Sequence, residues 1–287
     1  MDSDCIFRHL MQELFSNSYV NELPKMQKVI KDFKPEGPLT KSLLKLLLKA
    51  FEVLVFPVLD SWEAYLDTNM LSVTSSPKMY ISYAILLSWT EVHVVEDQYA
   101  RFLIVLTLVN YMARVAYDFT GRKFYKLSPK ILTVLFDKVL KEDFYKGGGW
   151  KSLKKHILNK KYSEIYDEYE AYDFNNSYSL KKLMQRIQDI FLHPRPSFEH
   201  LHSLEQISNF EIINDLTRDV MSLVETSLVN ELNLNTEQSL SKVTEGSKSS
   251  EHSDLKSFFE VVLQNRVVDL EDKLRELISV FELLDTK

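Results

Sequence analysis

Apolar residues recur three and four positions apart along most of this chain, the spacing of helices that bury one face. Asp4 can cap a first helix with Ile6, Phe7, Leu10 and Leu14 on one side. After the Pro35-Glu-Gly-Pro38 break, Thr40 opens a strong helix carrying Leu43, Leu44, Leu46, Leu47, Leu48, Phe51, Leu54 and Val55. Pro57 is expected to kink or divide it. Ser76-Pro77 starts another helix, from about Met79 to Val95, and Asp97 to about Tyr117 forms the next. Both are apolar almost all round and belong at the core. Gly121 is the stop signal of the second. Ser128-Pro129 opens a helix with Ile131, Leu132, Leu135, Phe136, Val139 and Leu140 inward, and Gly147–Gly149 closes that region. Helical spacing resumes at Trp150–Leu158, at Ser179–Phe191 and over Phe210–Leu232.

Asn233–Ser253 breaks the pattern. It is polar and poor in aromatics, so it cannot bury enough surface to offset ordering, and a flexible linker is expected. Asp254 then caps a last helix in which Leu263, Leu270, Leu277 and Leu284 recur every seven residues. Val267, Leu274 and Phe281 fill the positions between, making one stripe suited to a partner chain or to self-association. The fold class is therefore all-α, a multi-helix bundle with a C-terminal heptad-patterned helix after a linker. Residues 1–145 form a helical core, and 150–232 continue it or form a second subdomain. Residues 233–253 are the linker, and 254–287 the amphipathic helix.

Only 6 glycines and 8 prolines occur in 287 residues, nearly all at the borders just described, which strengthens the helical reading. The single cysteine, Cys5, allows no disulfide within the chain. With no export signal evident at the start, cytoplasm or nucleus is the expected location. The most apolar run, Phe102–Val109, is bounded by Arg101 and Arg114 and is too short for a membrane span, so no membrane contact is expected. A net charge of −6 argues against a surface that is basic throughout, but not against a local basic patch.

One such patch exists. Lys146, Lys151, Lys154, Lys155, Lys160 and Lys161 surround Trp150 after three glycines. Lysines with an interleaved aromatic can hold phosphate and stack a base, and glycines can let backbone approach an anion. The run lacks a phosphate-loop ending. Glu164, Asp167, Glu168, Glu170 and Asp173 follow directly, which predicts a surface neutralised by its own chain. Nucleic acid, a phosphoinositide or an acidic protein is the alternative. Tyr162, Tyr166, Tyr169 and Tyr172 make a stripe expected to pack inward, or else to form a partner groove. The aromatics Tyr99, Phe102, Tyr111, Tyr117, Phe119, Phe124 and Tyr125 are expected in the core. His93 with Glu96 and Asp97 has too few ligands for a metal and reads as an ordinary helix end.

Arg195-Pro-Ser-Phe-Glu-His200 resembles, over two positions, the Arg-x4-His motif of the small helical HEPN ribonucleases. The resemblance implies a phosphate-steadying role for Arg195 and an acid–base role for His200. It departs from that motif at Pro196, where the class has a polar residue. Catalysis is not expected from so short a match, nor is any cofactor or metal. The pattern as a whole predicts a non-enzymatic helical subunit or adaptor of an intracellular multiprotein complex, acting through protein–protein contacts. The alternative is an RNA-binding or RNA-processing protein that uses the lysines.

Overall fold

Short side chains ahead of each apolar run supply the hydrogen bonds that a helix cannot make for its own first turn. A computed structural model describes residues 4–15, 30–171, 183, 185–187 and 207–234. Helix α1 spans Cys5–Phe15, and Asp4 Oδ1 accepts the Phe7 N–H at 2.9 Å. Helix α2 spans Lys41–Val73, with Thr40 Oγ1 accepting the Leu43 N–H at 3.2 Å. Ser76 caps α3, Pro77–Val94, through the Met79 N–H at 3.2 Å. Asp97 caps α4, Gln98–Thr120, through the N–H groups of Tyr99 and Ala100 at 2.9 and 2.8 Å. Gly121 ends α4 at φ 67°, a left-handed turn that glycine enters without strain.

A 3-10 turn over Phe124–Leu127 leads into α5, Ser128–Leu135. One π turn, Phe136–Leu140, joins α5 to α6, Lys141–Lys146. Then come α7, Gly149–Asn159, and α8, Tyr162–Glu170. Helices α9, Ile207–Ser222, and α10, Thr226–Leu234, follow. Among the described residues there is no strand; Glu36 and Leu39 form only an isolated bridge. The protein is an all-α, multi-helix bundle.

The core lies between α2, α3 and α4. Every residue from Phe102 to Val109 is buried. By length and composition α4 could cross a membrane, but 61% of its most apolar stretch is buried inside the bundle. Phe7 of α1 stacks on Phe136 of the π turn, with centroids 4.1 Å apart, while Phe102, Phe144 and Trp150 close around them. Helices α7 and α8 pack on α2, and α9 packs on α3 and α5. The described parts of 1–145 and 150–232 thus belong to one compact unit.

Several expectations need correction. Pro57 neither divides α2 nor ends it. Val53, Leu54, Val58, Leu59 and Trp62 are buried on both sides of it, and that packing outweighs one lost hydrogen bond. Phe119 is 54% exposed, in the last turn of α4 beyond Ala116, the last buried residue of that helix. The periodic stretch Phe210–Leu232 is two helices, broken at 223–225, with Leu223 48% exposed. Polar contacts hold the second of them. Arg122 Nε donates to Leu232 O at 2.7 Å, and Lys126 Nζ to Glu231 at 2.8 Å. Asn233 and Leu234, assigned by composition to the linker, close α10. The rest of that linker and the stripe Leu263–Leu284 lie outside the described residues.

Candidate functional site

Helix α7 is amphipathic because Trp150, Leu153 and Ile157 share its inner face and Lys151, Lys154 and Lys155 its outer one. Gly148, at φ 104°, and Gly149, at φ 59°, turn the chain sharply from α6 into it. The loop is not an open cradle for an anion. A Cβ on Gly147 would stand 1.7 Å from the Gln98 amide nitrogen, and one on Gly148 2.4 Å from Ser152 Oγ. The chain's own side chains fill that space. Trp150, proposed to stack a base, is 4% exposed and lies edge-on to Phe102 and Phe144. Its ring belongs to the core because the glycine turn starts α7 with that face inward, so no ligand reaches it.

The lysines divide into two groups. Lys146 pairs with Glu142 at 2.7 Å and Lys161 with Glu164 at 3.6 Å. By contrast Lys151, Lys154, Lys155 and Lys160 have no hydrogen bond or ion pair among the described residues. The acids expected to neutralise them are engaged elsewhere. Asp167 holds Lys49 of α2, and Glu168 holds Arg186. Leu158, 52% exposed, sits one turn beyond Lys154 and Lys155. The outer face of α7 is therefore an uncompensated cationic surface with one apolar side chain at its edge. Tyr162 is buried beside His156 of α7, Tyr166 is buried under Lys49 of α2, and Tyr169 is half-buried and edge-on to Phe56, so the described part of the tyrosine stripe is a packing face.

Beneath the lysines lies His156, whose side chain is only 10% exposed. Its Nδ1 is 3.5 Å from Asp97 Oδ1, the oxygen that caps α4. The rings of Tyr99 and Tyr162 flank it at 5.7 and 6.4 Å. Its Nε2 is buried with no hydrogen-bond partner. Burial holds the imidazole pKa below its ordinary value, against the opposing pull of Asp97. The arrangement is that of an acid–histidine dyad, but Nε2 opens onto no solvent, which a general base must reach. Sequence reasoning passed over His156 because its partner lies 59 residues earlier (156 less 97), and only burial marks it out.

Other perturbed groups are structural. Glu91 accepts a 2.6 Å hydrogen bond from Trp62 Nε1 deep between α3 and α2, and burial pushes its pKa up to about 7. Lys49, buried in α2, donates to Ser163 Oγ at 3.1 Å and to Asp167, and lies 5.2 Å from the Tyr166 ring. That Ser–Lys pair resembles a nucleophile and base, but Asp167 stabilises the ammonium form, which cannot accept a proton. His93 Nδ1 contacts Trp89 O at 2.8 Å, an ordinary local hydrogen bond. No group of three or more potential metal ligands exists among the described residues. Arg195 and His200 lie outside them.

Comparison with known proteins finds no match: no protein-family model, no curated protein and no solved structure is similar to this chain. The α7 face therefore has to be read from its own chemistry.

Proposed function

We propose that the protein is a non-enzymatic helical subunit of an intracellular multiprotein complex, and that the outer face of α7 docks an acidic protein partner. One observation carries the reading: Lys151, Lys154 and Lys155 project from one rigid helix and no acid of the described chain answers them. An uncompensated patch steers an oppositely charged partner and fixes its register. Leu158 beside the lysines favours a protein, which can bring both acids and an apolar contact, over a nucleic-acid backbone. With Trp150 buried, the stacking on which single-strand binders rely has no platform here. The stripe Leu263, Val267, Leu270, Leu274, Leu277, Phe281 and Leu284 supplies a second contact in the same reading.

The test is purification of the tagged full chain from its own cells, with and without nuclease, beside a Lys151→Glu/Lys154→Glu/Lys155→Glu variant. A stoichiometric protein partner that survives nuclease and is lost from the variant supports the reading. Loss of the complex on nuclease treatment overturns it in favour of RNA binding.

A further inference from the structure

Beside the buried Trp150, Leu153 and Ile157, the helix that displays the lysines carries an inward histidine with no acceptor for a second proton among the described residues. His156 faces inward from α7, and the charges acting on its ring are Asp97, which favours the cation, and Lys160 of its own helix, which opposes it. From α4 it meets the Asp97 carboxylate and the Tyr99 ring, and from α8 the Tyr162 ring. From α6, Asp143 is held by Arg101 at 3.0 Å. From α2, Lys49 is held by Asp167 and Ser163. When the neutral ring carries its hydrogen on Nδ1, 3.5 Å from Asp97 Oδ1, the sealed Nε2 carries none. Adding a proton puts an N–H on Nε2, where no acceptor exists among the described residues. A buried donor without a partner is costly.

We propose that protonation of His156 releases α7 from the N-terminus of α4, making the lysine-bearing helix an acid-sensitive element that pivots on Gly147–Gly149. Three features act together: a sealed Nε2, a half-exposed carboxylate partner that can follow water outward, and a left-handed glycine turn directly before the helix. The lowered pKa of the ring agrees in sign, since an open α7 binds the proton more readily than a closed one. That release bears on a partner rests on the function proposed above; the release itself does not.

The experiment uses the full chain alone. Hydrogen exchange of the α7 backbone is followed by mass spectrometry at pH 7.5 and 5.5, corrected for intrinsic exchange rates, while NMR follows the His156 ring. One proton taken up on opening changes the opening constant by up to about tenfold per pH unit. Protection of 149–159 is expected to fall by that order at pH 5.5 with α3 and α4 unchanged, and His156→Gln should abolish the response. His156 should titrate below the ordinary histidine value of about 6.5. Equal protection at both pH values, an undiminished acid response in His156→Gln, or a His156 midpoint at or above the ordinary value of about 6.5 would overturn the proposal. If His156→Gln does not fold, the wild-type titration and exchange decide alone. Binding of a poly-aspartate probe at pH 7.5 tests the partner reading separately, and its failure leaves the exchange result standing.

Discussion

The buried cations of this molecule and the outer lysines of α7 are treated in opposite ways. Lys49 and Arg122 sit inside, and each is answered. Lys49 meets Asp167, Ser163 and the Tyr166 ring. Arg122 makes no ion pair among the described residues; its guanidinium donates to the carbonyls of Thr74 and Leu232 and lies 4.7 Å from the Phe124 ring. Lys151, Lys154 and Lys155 sit on α7 with nothing opposite. A buried charge must be compensated or the fold does not form, whereas an exposed one costs little either way. Charges that stabilise the fold therefore come with partners in the chain. Three unanswered charges on one face contribute nothing to stability and are free for another use.

The sharpest way to break this contrast is Arg122→Leu. It strands two buried carbonyls at about 1–3 kcal/mol each, so a loss of about 2–5 kcal/mol is expected in chemical denaturation. Arg122→Lys should recover little, because one ammonium cannot reach both helix ends as the fork does. A loss under about 1 kcal/mol for Arg122→Leu would show the clamp to be incidental.

A second test separates the members of one pair. Asp167→Asn leaves the Lys49 ammonium buried without its anion and should cost about 2 kcal/mol, less than a fully buried pair because Asp167 is half in water. Lys49→Met removes the buried charge and frees Asp167 to solvent, at a cost of about 1 kcal/mol or less. Equal losses from the two would contradict the asymmetry of burial.

The pH dependence has two opposing signs. Glu91 has a folded pKa above its unfolded value, so its contribution is present below about pH 4.5 and lost as pH rises through about 7. His156 has a folded pKa below its unfolded value, so its contribution is present above about pH 6.5 and lost as pH falls through the folded value. Glu91→Gln should flatten the alkaline limb of the stability curve, and His156→Gln the acid limb. Urea midpoints across pH 5–9 read both, and exchanged assignments would refute the burial argument.

The smallest effect is expected where the function is proposed. Lys151→Glu/Lys154→Glu/Lys155→Glu should shift unfolding free energy by no more than about 0.5 kcal/mol per site, as surface substitutions do. A loss of several kcal/mol would mean that these lysines serve the fold after all.

The sequence alone determined the helices and most of their ends. Asp4, Thr40, Ser76, Asp97 and Gly121 act within three or four residues of themselves, and such local hydrogen bonds are readable without knowing the fold. The outward lysines of α7 were legible for the same reason, since periodicity places them opposite Leu153 and Ile157. What periodicity could not decide was which of two available faces or partners each side chain takes. Trp150 turned inward because Phe102 and Phe144, from α4 and α6, leave room for it. Asp167 turned away from the neighbouring lysines to Lys49, 118 residues earlier, and left α7 uncompensated. His156 acquired its sealed nitrogen only when α4, α7 and α8 came together. Local interactions are written in the spacing of residues, but burial and ion pairing depend on distances through space that only the packed bundle sets.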